Sequence, residues 1–478
     1  MSDISKSDQL LWAVSMEGWL MEGTGMPVRL TQESRVLPNL AETLRAAFQE
    51  AFQRTEMIFQ LITPEAYYER PIALRHPINF YEGHLAAFIW NTLFRRVLGL
   101  SSFNPDFDRL FERGIDPASE EAARLATMNQ WPDRESVRVY KHMIHQRLFD
   151  YLDTVNLEAP THPLLKQGEI LFLLLEHELM HQETLLYMLH ELPHNFKIKP
   201  PNYYLPDDRK VSGVAMASIP AGTAILGTEL WDAKSREFAF AWDNEMPRRS
   251  VEVGPFAMDV YNVTNGQFLE FVEADGYECQ EYWTPAQWRW RCEQKKMHPH
   301  HWIATESGWQ LRSFFENIPL PMNWPVLVTQ AEAAAYAKFS GKSLPTEAEW
   351  HRAAFGRQPF VRYSWGNMPP DETRGNFGFR HWTPVPVGSY PAGASPFGLQ
   401  DLTGNGWEWT ETPFAPFPGF VASAGYPQYS ADFFDGQHYV VKGASWFTDV
   451  RLLRRSFRNW YYWHYPYMAA TFRCVQRF

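Results

Sequence analysis

Apolar residues recur three and four apart through the first two hundred positions, and that period fades afterwards. Residues 37–61, 78–98, 136–155 and 168–192 each carry it. In the third segment Val139, Met143, Leu148 and Tyr151 form the expected apolar side. The fourth has no proline or internal glycine, so it reads as one unbroken helix. Four such segments predict an antiparallel helical bundle. A proline- and charge-rich stretch follows (Pro200, Pro201, Pro206, Asp207, Asp208, Arg209, Lys210) and reads as a linker. Beyond it glycine, proline and tryptophan become frequent, and only residues 329–339 and 346–354 keep a helical period. The second of these opens with Thr346 as cap and Glu349 as its capping-box partner. The reading is two units of an α+β chain: 1–198 helical, 199–217 linker, 218–478 loop-rich.

The fourth helix holds His177 and His181. Residues four apart lie about 40° apart around a helix, one turn above each other, so both imidazoles can reach one metal ion. Ile170, Leu173, Thr184 and Met188 share their stripe, which turns the pair inward. The bland alternative is a pair of buried, hydrogen-bonded histidines. His-Glu-x-x-His is also the zinc-protease pattern, with Glu178 as base. That pattern wants glycine at 184 and histidine at 187, where the chain has Thr184 and Tyr187. In the second segment His84 stands among apolar residues (Phe80, Tyr81, Leu85, Phe88). Alone it reads as a core histidine; beside a His-x-x-x-His helix in the same bundle it becomes the candidate third ligand. His84, His177 and His181 would hold a divalent metal and leave positions open for substrates. Glu183, the other candidate third ligand, lies about 120° around the helix from His177, off the stripe, and reads as a support to the ligands or as structural.

The chain has 478 residues, 45% hydrophobic and 21% charged, which suits two globular domains. A net charge of −11 argues against nucleic acid as a partner. Aromatic residues reach 16%, with 20 tryptophans, enough to fill a loop-rich fold and to line a pocket for a cationic or planar ligand. Three cysteines form no paired motif. No signal-like N-terminus and no membrane-length apolar run stands out, so a cytoplasmic protein without membrane contact is expected.

In the second half, Ile219-Pro220-Ala221-Gly222, Asp243-Asn244-Glu245, Val263-Thr264-Asn265-Gly266-Gln267-Phe268, Leu344-Pro345-Thr346-Glu347, Thr403-Gly404-Asn405-Gly406-Trp407-Glu408-Trp409 and Lys442-Gly443-Ala444-Ser445-Trp446 occur in an order that resembles the formylglycine-generating-enzyme fold, a relative of C-type lectins. That enzyme uses a cysteine pair near its C-terminus. The stretch 456–472 has none, which sets its activity aside. A DinB-like four-helix bundle with Gly83-His84 and His177-x-x-x-His181, fused to this second fold, resembles the non-haem iron sulfoxide synthases of the ergothioneine (EgtB) type. It is also similar to the ovothiol-pathway 5-histidylcysteine sulfoxide synthase and to selenoneine synthase.

The resemblance implies ferrous iron, Fe(2+), held by His84, His177 and His181. It implies joining of a thiol (cysteine or γ-glutamylcysteine) to the imidazole of hercynine or histidine, with O2 and sulfoxidation. Arg458, Asn459 and Trp460 carry over as substrate binders, with Trp460 facing a trimethylammonium group. One ergothioneine subtype has a proton-donating tyrosine in Tyr-Pro-x-Tyr; the matching segment is read at Phe417-Pro418-Gly419-Phe420, where both tyrosines are missing. Tyr461 and Tyr462 then become the catalytic candidates. That subtype also has glutamine where this chain has Met180, and aspartate where it has Tyr461, which leans the thiol toward free cysteine. Residues 74–77, 104–107, 114–117 and 434–438 resemble the ovothiol enzyme instead, but the chain lacks that enzyme's usual methyltransferase domain. Arg109, Arg113, Arg134 and Arg138 are offered for the thiol's carboxylate. A rival of another class is a non-catalytic binding module, since lectin-like folds often only bind.

Overall fold

The computed structural model describes residues 39–112, 131–209, 216–232, 237–358 and 361–478. Four long helices build the first half: α1 (Leu40–Gln60), α2 (Ile78–Ile89), α3 (Arg134–Leu152) and α4 (Glu169–Glu191). Asn39 caps α1 in a capping box with Glu42. Asp133 caps α3. Gly168 supplies the left-handed turn (φ 73°) from which α4 starts. α2 is buried along its whole length and continues as a π-helical stretch, Trp90–Val97. The stripe expected on α3 is displaced: Val137, Tyr140, Ile144 and Leu148 face the core, while Val139 and Met143 are 52% and 48% exposed. The observed set steps by three, four and four, whereas the expected one jumps five from Met143 to Leu148, and packing against α1 and α2 selects the regular stripe.

The second half is built from short strands and loops. β1 (Met216–Ile219), β2 (Phe256–Asp259) and β7 (Val475–Arg477) form one antiparallel sheet with β2 central. A second sheet carries the site. Its order is β5 (Asn459–Tyr462), β4 (His438–Ala444), β3 (Gly406–Pro413), β6 (Ala470–Thr471). β3 and β4 are antiparallel, and β5 adds to β4 as the edge strand with His438 opposite Tyr462 and Val441 opposite Asn459. Two helices beyond those expected appear, Asn265–Glu273 and Pro285–Glu293. At nine residues each they are short, and glycine in the first and proline in the second weaken the helical pattern. Their Thr264–Gln267 and Thr284–Gln287 capping boxes were the signal available.

β3 shows how strand alternation divides labour. The Trp407 indole donates to Glu183 at 2.7 Å and that of Trp409 to the Val328 carbonyl at 2.8 Å. Glu408, pointing the other way, accepts from Arg473 at 2.9 and 2.6 Å, from Trp350 at 2.7 Å and from Asn262 at 2.8 Å. That buried carboxylate thus has a partner for each lone pair it presents, which burial of a charge requires. The three cysteines are unpaired, and no described helix is long and apolar enough to cross a membrane.

Candidate metal centre

Helix α4 is buried nearly all round, so each of its polar side chains needs a partner. Glu178 and Gln182 turn to α1: Thr55 donates to Glu178 at 2.5 Å, and Gln182 donates to the Ala51 carbonyl at 2.8 Å. Glu178 therefore sits away from the cavity and is no general base for a protease-like site. Glu176 and Glu183 turn to the second half. Glu176 accepts from Trp242 at 2.8 Å and from Arg454 at 2.7 and 2.9 Å. Glu183 accepts from Trp407, from Ser445 at 2.5 Å and from Thr448 at 2.9 Å. Four carboxylates and amides thus clamp the helix in register, and the remaining stripe presents His177 and His181 to a cavity.

There they meet His84 of α2. The ring centroids are 5.2 Å (His84–His177), 5.0 Å (His84–His181) and 4.4 Å (His177–His181) apart. One ligand nitrogen from each lies within 4.8 Å of the other two. His84 Nδ1 donates to the Phe111 carbonyl at 2.8 Å, which fixes the tautomer and leaves Nε2 as a lone pair. That Nε2 is buried without a partner, and so is His181 Nδ1. Gly83 makes the anchor possible, since a Cβ there would meet the Phe111 ring at 2.6 Å. Burial outweighs the Phe111 hydrogen bond and pushes His84 down to about 4; burial likewise holds His177 and His181 well below the usual range. All three imidazoles are neutral at pH 7, the state that binds metal. Phe88 stacks on His177 at 3.6 Å and Phe80 on His84 at 5.2 Å, closing the apolar side. Three neutral imidazoles, two of them with an orphaned ring nitrogen and one with its tautomer fixed, fit a divalent metal ion.

The cavity over the histidines holds about 210 Å³. Its wall includes Asn459, Trp460, Tyr461 and Tyr462 of edge strand β5. Phe414 stacks on one face of Trp460 at 4.2 Å. Tyr461 meets the rings of Tyr187 and Tyr465, and burial raises its hydroxyl pKa further above the usual range. Arg458 does not reach the cavity. It is buried, paired with Glu347 at 2.9 and 3.1 Å, bonded to the Asn244 and Ala415 carbonyls, and lies over Phe417. Arg109 pairs with Asp106 and Arg134 with Glu82; Arg113 and residues 114–117 lie outside the described residues.

The loop between β3 and β4 supplies two site residues that the sequence reading passed over. Tyr426 lies 6.3 Å from His177 and 5.1 Å from Phe88, ring to ring. Tyr429 stacks on Trp242 at 3.9 Å and donates to Met180 Sδ at 3.3 Å. Tyr426-Pro427-Gln428-Tyr429 is the Tyr-Pro-x-Tyr pattern expected at residues 417–420 and missing there. Phe417 instead belongs to a separate apolar cluster with Leu226 and Val253. A loop has no period to fix its register, so the pattern itself, nine residues on, was the usable signal.

Residues 47–185 match the DinB superfamily, and residues 203–478 match the sulfatase-modifying factor enzyme 1-like domain. A hercynine oxygenase of Mycolicibacterium smegmatis is 34% identical over 372 residues, covering 74% of this chain and 80% of the relative. One from Mycobacterium tuberculosis is 39% identical over 241 residues, covering 49% and 55%. Ergothioneine biosynthesis protein 1 of Neurospora crassa is 27% identical and covers 87% of this chain, which spans 56% of that longer protein. Two halves in this order, and a relative matched over most of both chains, identify the lineage: the chain belongs to the EgtB-type sulfoxide synthases.

Proposed function

We propose that the chain joins the sulfur of a small thiol to the imidazole of hercynine, with dioxygen as oxidant and a sulfoxide as product, as a step in ergothioneine formation. The observation that carries the reading is the meeting of three neutral imidazoles, from two helices, beneath a wall of Trp460, Asn459 and Tyr426. His84, His177 and His181 would hold ferrous iron, which supplies a site where a thiol stays ionised at neutral pH and dioxygen is activated. The rest is work for the protein's own side chains. Trp460, on the cavity wall, offers its ring to the trimethylammonium group, a contact worth up to about 2 kcal/mol when desolvated. Asn459, beside it on the same cavity wall, orients the hercynine imidazole. Phe80 and Phe88 keep water from the histidines. Tyr426, beside His177, holds a proton for the oxygen side of the reaction, a role for which Tyr461 and Tyr462 stand further along the wall.

Mass spectrometry of the product from hercynine, cysteine and dioxygen tests the reading. A sulfoxide bonded to imidazole carbon 2 is expected. Cystine alone, with hercynine unchanged, would contradict it.

A further inference from the structure

The cavity carries a charge pattern that the chemistry above leaves unused. Among the described residues, Arg75 is the one arginine or lysine on its wall, and Glu183 the one acid. Glu183 already accepts from Trp407, Ser445 and Thr448. Arg75 precedes α2. Its Nε donates to the Tyr465 hydroxyl at 3.1 Å, and its guanidinium lies 5.5 and 5.6 Å from the Tyr187 and Tyr465 rings. Those contacts hold the fork in orientation, and its charge is felt at both His181 and His438.

His438 is 4% exposed, lies on the same wall and packs on Tyr462 at 3.9 Å. Its Nδ1 faces both oxygens of Asp435, at 2.9 and 3.0 Å. Burial, reinforced by Arg75, lowers its pKa despite Asp435, so the ring is neutral at pH 7. A carboxylate only accepts, so Nδ1 carries the proton and Nε2 is a lone pair. No described residue is hydrogen-bonded to that Nε2. A fixed cation and a fixed acceptor on one wall match the two poles of an α-amino acid.

We propose that Arg75 and His438 form the subsite for the thiol substrate, Arg75 taking its α-carboxylate and His438 Nε2 accepting from its α-ammonium. This rests on the function proposed above and narrows it. Hercynine has a carboxylate but no N–H on its quaternary nitrogen, so it cannot satisfy His438. In γ-glutamylcysteine the cysteine nitrogen is acylated and uncharged. Its amide N–H can still donate to Nε2 but without the charge, so the pair favours free cysteine.

Three thiols read the subsite by steady-state kinetics and by anaerobic calorimetric titration: cysteine, cysteamine (no carboxylate) and 3-mercaptopropionate (no ammonium). Arg75→Met raises the KM and Kd for cysteine and 3-mercaptopropionate by roughly 10- to 100-fold, the value of a charged hydrogen bond. It leaves cysteamine and the hercynine KM unchanged, and Arg75→Lys falls between. His438→Phe weakens cysteine and leaves 3-mercaptopropionate unchanged. Equal losses for all three thiols, in variants whose circular dichroism is native, would overturn the subsite while the reaction stands. Loss of cysteine binding on Arg75→Met in a protein that makes no carbon–sulfur product would keep the subsite and remove the reaction. The wild-type protein gives a test free of folding effects: cysteine and cysteamine binding equally well would overturn the proposal.

Discussion

Trp407 donates its indole N–H to Glu183 at 2.7 Å across the boundary between the two halves of the chain. Glu183 lies on the helix that carries His177 and His181, and Trp407 is the second residue of β3, an inner strand of the sheet that carries the cavity wall. One buried carboxylate therefore fixes how the aromatic wall sits over the histidines. Glu183→Ala leaves the Trp407, Ser445 and Thr448 donors buried without their acceptor. It should cost about 3 kcal/mol of stability in chemical denaturation. Glu183→Gln, which keeps an acceptor oxygen, should cost about 1 kcal/mol. Equal costs would mean that the contact matters by volume and not by hydrogen bonding.

Asp401 gives a pH dependence. Its carboxyl is buried; Gly388 N–H donates to Oδ2 at 2.7 Å, and Oδ1 has no partner. Burial pushes its pKa up to about 6 against the Gly388 hydrogen bond and Arg473. The folded protein keeps a proton that the unfolded chain releases near pH 4. The associated stability is full below that pH and lost as pH rises through 6, about 3 kcal/mol in all. Denaturation midpoints from pH 4 to 7 for wild type and Asp401→Asn should diverge by that amount. Parallel curves would show that the carboxyl is solvated in solution.

Tyr426→Phe should shift product from the sulfoxide toward oxidised thiol, with little change in thiol KM. Tyr461→Phe and Tyr462→Phe should alter the ratio less. Chromatographic product ratios decide it; a larger shift in either β5 variant would return the proton to that strand.

Trp460→Ala should weaken hercynine more than histidine, because only hercynine has a permanent cation to lose. The expected ratio of KM changes is about 10-fold. Equal changes would leave Trp460 as a packing residue against Phe414.

Helix-borne features were legible in the residues because a helix converts spacing into direction. His177 and His181, four apart, had to share a face, and both reach the cavity wall with His84 packed beside them. Apolar identity alone is a weaker guide than spacing, as on α3, where Val139 and Met143 face water and the regular stripe through Val137 and Ile144 is buried. Loop-borne features were not legible in the same way. Tyr426 and Tyr429 owe their place to a loop whose path depends on Asp243, which accepts from Ser423 N–H at 3.1 Å and is also hydrogen-bonded to Ser430. Nothing in local spacing encodes a contact between residues 180 or more positions apart. Arg458 stands apart from the cavity for a simpler reason. Its guanidinium suits a substrate carboxylate, but the buried Glu347 claims it first.

Metal content tests the central claim most directly. Wild type, His84→Ala and His177→Ala are loaded with ferrous ion under anaerobic conditions, desalted and assayed for iron per chain. The account expects close to one iron in wild type and almost none in either variant, with native circular dichroism throughout. Wild type that binds no iron, or His84→Ala that retains it in full, would contradict a centre built from three histidines on two helices.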